Sequence, residues 1–95
     1  MIDEIQIVPV QPKNGLVAFA SFTIQKMFRC TSVAIYTRPE GGFRLVYPTK
    51  MVGGRDFGVF YPINHDVGLA IEKEVTKKYE DVMEETHDRY SRADD

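Results

Sequence analysis

The sequence predicts an α+β domain, dimeric through strand edges at the fourth or fifth strand beside the 49–55 loop: an antiparallel β-sheet of about five strands over residues 2–62, then one C-terminal α-helix over about 65–88. Three observations carry this. Short runs in which apolar and polar residues alternate, the period of a half-buried strand, fill the chain as far as residue 62. Asn14-Gly15 stands between two such runs and supplies the positive φ that a tight hairpin turn needs. After Pro62 the period becomes helical, with Val67, Ile71, Val75, Tyr79 and Val82 recurring at spacings of four and three.

The first strand, residues 2–11, alternates Ile5 and Ile7 with Glu4 and Gln6, and the second, 15–25, returns from the Asn14-Gly15 turn. Along that second strand Leu16, Ala18, Ala20, Phe22 and Ile24 share one face, where the two small alanines leave room for a helix. Val17 and Phe19 fall on the other face, which suggests a second cover there, either a partner chain or a curled part of the sheet. The third strand, 27–38, slips in its alternation at Thr31-Ser32, consistent with a bulge, and Arg38-Pro39-Glu40-Gly41-Gly42 is a turn. Strands over 42–48 and 56–62 each end at a proline, Pro48 and Pro62, and flank a flexible loop over 49–55. Asn64 or Asp66 caps the helix, and Glu74 and Lys78 are ordered for an ion pair of about 0.3–0.5 kcal/mol. The apolar stripe fades after Met83, so residues 84–95 read as a fraying helix end and acidic tail behind a domain of residues 1–83.

Ninety-five residues suit one domain, which at this size buries roughly 60–65% of its unfolded surface. Hydrophobic content of 43% with 27% charged residues is that of a soluble globular chain, and the acidic opening Met1-Ile2-Asp3-Glu4 is unlike a signal peptide. No apolar run approaches the roughly 20 residues of a membrane span, so the expected location is cytoplasmic, with no membrane partner. A lone Cys30 makes neither an internal disulfide nor a cysteine-based metal site. The net charge is −2, but the acids crowd toward the end of the chain, while residues 49–55 carry Lys50 and Arg55 without an acid. A local polyanion-binding patch is therefore compatible with an acidic whole.

Catalysis finds little material. A nucleophile, a base and an orienting group would have to come from Cys30, His65 and His87, so the expectation is a protein that is not an enzyme and uses no cofactor or metal. Gly53-Gly54 beside Lys50 and Arg55 lacks the surroundings of a Walker loop, since the lysine precedes the glycines. The run Arg55-Asp56-Phe57-Gly58-Val59-Phe60 looks superficially like the aromatic strand of an RNA-recognition motif, but no helical period precedes residue 64, as that fold would need.

From Leu45 to Asn64 the order is a hydrophobic strand, Pro48-Thr49-Lys50, a polar loop with glycines, and an apolar run ending in Pro62-Ile63-Asn64. In this, in the opening Ile5-Gln6-Ile7, in the strand from Ala18 to Ile24 and in the helix position up to Tyr79, the chain resembles the stage V sporulation protein G (SpoVG) septation-regulator family. The resemblance covers most of the chain. It implies a small cytoplasmic bacterial regulator of septation and sporulation that binds nucleic acid as a homodimer. Lys50 keeps the family's loop lysine, whereas Thr49 stands for serine, Met51 for a second basic residue, Phe57-Gly58 for a basic-acidic pair and Tyr61 for histidine. In the first helical turn, where the family is often basic, this chain has Val67 and Leu69.

Two functions follow as expectations. One is weak, salt-sensitive binding of DNA or RNA through Lys50 and Arg55, with Arg44 and Lys73, doubled by dimer symmetry. The other is a dimeric protein-interaction module in which Met51, Val52, Val67 and Leu69 meet a protein partner.

Overall fold

Asn14 (φ 53°) and Gly15 (φ 90°) take the positive-φ backbone of a two-residue primed turn, and Lys13 and Leu16 pair across it. The chain thereby folds back at once, and strand β1, Ile2–Lys13, lies antiparallel to β2, Leu16–Ile24. Strand β3, Phe28–Thr37, and the short β4, Phe43–Val46, complete a meander in the order β1-β2-β3-β4. Two further short strands, β5 (Thr49–Val52) and β6 (Arg55–Gly58), pair only with each other, and helix α1, His65–Ala93, follows. This computed structural model describes the backbone of residues 1–93 and the side chains of residues 1–85.

The α+β class is as the sequence predicts, but the sheet has four strands and not about five. Of the run expected as a fifth strand over 56–62, the part up to Gly58 is strand and pairs instead with 49–52, through the primed turn of Gly53 (φ 57°) and Gly54 (φ 78°), while residues 59–62 are not in a strand. The expected flexible loop is thus a hairpin. Val59 N–H donates to Pro48 O at 3.0 Å and closes its base. The helix runs to Ala93, past the expected 88, through Arg89, Arg92 and Ala93, which favour helix, and with no proline or glycine to stop it. The side chains of the acidic tail from residue 86 onward lie outside the described residues.

The helix lies on the face of β2 where the alanines are. Ala18 and Ala20 are buried beside Phe22, Val33 and Ile35, and Ile71, Val75 and Tyr79 of the helix close the same core. Phe43 meets Tyr79 edge-on at 5.1 Å between ring centroids, and Leu45, Tyr47 and Val67 pack around the periphery. Asn64 is the cap: its Oδ1 accepts from Val67 N–H at 3.1 Å. The ion pairs among the described residues are Arg29–Glu4 at 3.0 Å and Arg38–Glu72 at 3.2 Å. Glu74 and Lys78 do not pair, as befits exposed side chains whose ordering costs about what the contact returns.

Bulges set the parity of the sheet. Between Ala20↔Val33 and Phe22↔Cys30 strand β3 carries one extra residue, at Thr31-Ser32, where Ser32 has φ 60°. This is the slip seen in the sequence. A second shift between Leu16↔Tyr36 and Ala18↔Ile35 places the extra residue on β2, at Val17. Val17 therefore packs against the core, contrary to the simple alternation that assigned it to the opposite face. That opposite face carries the directly opposed row Val8, Phe19, Ala34 and Val46, with Val8 and Phe19 exposed.

Candidate nucleic-acid interface

The β5–β6 hairpin is a ribbon with two unlike faces. Its register pairs Lys50 with Phe57 and Val52 with Arg55, so these four side chains share one face, while Met51 pairs with Asp56 and Thr49 with Gly58 on the other. Both cations lie on one side and the only acid of the ribbon on the opposite side. Every residue from 49 to 61 is exposed, and the two strands are hydrogen-bonded to each other and not to the main sheet. The ribbon is therefore a projection from the folded body and not part of its core.

The Arg55 guanidinium lies 5.7 Å from the centre of the Phe57 ring, within cation–π range, and Phe57 keeps 48% of its surface in solvent. On the other face the Tyr61 ring folds over Gly58, so close that a Cβ at this position would collide with it. Glycine is what allows that approach. The ribbon's base, Pro48, Val59 and Phe60, shares a small cavity with Thr31 and Ser32, so the bulge of β3 is the part of the body on which the ribbon is seated.

The other candidate cations are elsewhere. Arg44 pairs with Tyr36 across β3 and β4 and stacks on its ring at 5.2 Å, on the sheet face away from the helix. Lys73 lines a groove between the helix and the Gly41-Gly42 turn together with Arg38, Lys77, Glu72 and Glu80, a mixture of both signs on the body of the fold. The groove that Lys73 lines is lined, among the described residues, by neither Arg44 nor a residue of the ribbon. Of the four cations expected from the sequence, the structure brings Lys50 and Arg55 together.

No family model matches the chain, and no curated protein matches it in sequence.

Titration behaviour places the shifted groups in the core. Burial first, and then the neighbouring Cys30 and Glu72, push the Tyr47 phenol up to about 12, and burial also raises the Cys30 thiol and the Tyr79 phenol. A raised thiol is a poor nucleophile at neutral pH. His65 borders a groove of about 510 Å³ with Arg38 and Glu72, but those two charges already pair, and Arg38 Nε also donates to Phe43 O at 3.0 Å. That grouping ties the helix to the β3–β4 turn. Among the described residues no three His, Cys, Asp or Glu side chains gather so that they could hold a metal, and no helix is long and apolar enough to cross a membrane.

Phe57 is the site residue that simple reading of the sequence undervalued. Reading Gly53-Gly54 as a two-residue primed turn would have set Phe57 opposite Lys50 directly.

Proposed function

We propose that this chain is a non-enzymatic, cytoplasmic bacterial regulator of the kind the SpoVG proteins are, binding nucleic acid as a homodimer and acting on septation, sporulation and gene expression. The observation that carries the reading is the exposed ribbon with Lys50 and Arg55 on one face and Asp56 on the other. Phosphate binding needs cations free of nearby acids, on a surface a strand can reach, and this face offers both. Two charges per chain make a weak site. A two-fold axis that sets two ribbons on one side doubles it, and the free outer edge of β4 beside the ribbon is a strand edge that a second copy can cover.

A second reading has its own observation. Met51, Val52 and Leu69 are 63%, 52% and 52% exposed, the first two on opposite faces of the ribbon and the third on the helix, and would serve a dimeric module that docks a protein partner with little or no nucleic-acid affinity. Val67, expected in the same patch, packs against the core instead and is not free for that role.

The test is a Lys50→Ala, Arg55→Ala double variant beside wild type in a gel-shift assay with duplex and single-stranded probes near 50 mM salt. The proposal expects wild type to shift the probes and the variant to lose the shift. Equal binding by both proteins removes the ribbon as the site, and no binding by either gives the protein-interaction reading the lead.

A further inference from the structure

We propose that the Lys50–Phe57 face of the ribbon is a stacking platform for unpaired bases, so that the chain prefers single-stranded nucleic acid to duplex. This rests on the nucleic-acid reading above and specifies its ligand class. A half-exposed phenylalanine on a projecting ribbon is costly to leave in water, and nothing in the fold requires it there: Phe57 is outside the hydrophobic core and its surroundings. Its neighbours on the same face are Lys50 directly across the ribbon and Arg55, whose guanidinium leans on the ring at 5.7 Å. An aromatic ring beside two cations, one across the ribbon and one over a face of the ring, suits a single strand, with a base on the ring's other face and the adjacent phosphates on the charges. In a duplex the base faces are consumed by stacking on one another, and a groove offers this ring only base edges and sugars. The opposite face cannot serve, because it carries Asp56 and is partly covered by the Tyr61 ring over Gly58. The chemistry is that of aromatic RNA-binding strands, although the fold is different.

The measurement is fluorescence anisotropy with a short labelled oligothymidylate and a hairpin duplex at low salt, on wild type, Phe57→Leu, Phe57→Tyr and the Lys50→Ala, Arg55→Ala double variant. Wild type should bind the single strand more tightly. Phe57→Leu should weaken single-strand binding roughly tenfold, weaken duplex binding by less, and be rescued by Phe57→Tyr, which keeps the aromatic face. The double variant should lose both. Equal wild-type affinity for the two probes, or a Phe57→Leu variant that binds the single strand like wild type, overturns the stacking proposal. If the double variant still loses binding in that case, the nucleic-acid reading stands without it; if wild type binds neither probe, both fall.

Discussion

Replacing Tyr47 by phenylalanine should stabilise the protein. The ring packs against the core, yet its Oη is buried and finds no hydrogen-bond partner among the described residues. A buried hydroxyl without a partner costs roughly 1–3 kcal/mol, and the phenyl ring keeps the packing while removing that cost. Tyr47→Phe should therefore gain about 1 kcal/mol, which for a domain of this size raises Tm by roughly 4–8 °C. The same group gives a pH signature. With its pKa raised from 10.0 to about 12 in the folded state because burial penalises the phenolate, the group leaves stability unchanged below pH 10 and lowers it as pH rises through about 12, since the unfolded chain releases the proton first. Because the ring is only part-buried, the amount is on the order of 1–2 kcal/mol. Urea unfolding of both proteins at pH 7 and across pH 9–12 measures both effects. The variant should start higher and decline less over the alkaline range. A Tyr47→Phe variant less stable than wild type by 1 kcal/mol or more would show that the hydroxyl is satisfied and refute the reasoning.

Three further outcomes are expected. Val75 is fully buried between helix and sheet, so Val75→Asp places an unpaired charge in the core, costs several kcal/mol and should unfold the protein; wild-type melting of this variant would contradict the packing. Asn64→Ala removes the acceptor for Val67 N–H and should cost about 1 kcal/mol in thermal melts, whereas Asn64→Asp should be nearly neutral. Sedimentation at tens of micromolar should give twice the chain mass of 10.9 kDa, and a monomer at that concentration would sink the proposed dimer.

Elements with one buried face were legible, because burial is what writes a period into a sequence. The stripe Ile71, Val75, Tyr79 fixed the helix and its packing, Asn14-Gly15 fixed the first hairpin, and the slip at Thr31-Ser32 marked a real bulge. The ribbon has no buried face. Its four-residue strands therefore carry no alternation, and only the two glycines between them signalled a turn. The break between the second and third strands was placed at residue 26, but the form of the β2–β3 turn was not legible, because Gln25 (φ 53°) and Lys26 (φ 55°) take positive φ without glycine or asparagine. Val17 was misassigned for a third reason: a bulge changes parity locally, and two-residue alternation carries no record of it. For the site, charge without acid around Lys50 and Arg55 was readable, but which side of the ribbon each occupies follows from register alone.

In the proposed mode of binding the cations of the ribbon neutralise phosphates, and the salt dependence of the affinity measures that neutralisation. Four phosphate contacts in a dimer predict a slope of log affinity against log salt of roughly −3 for a single strand and −3 to −4 for a duplex, falling toward zero in the Lys50→Ala, Arg55→Ala variant. A wild-type slope that the double variant retains in full would contradict the claim, because the released counterions would then come from a surface other than the ribbon.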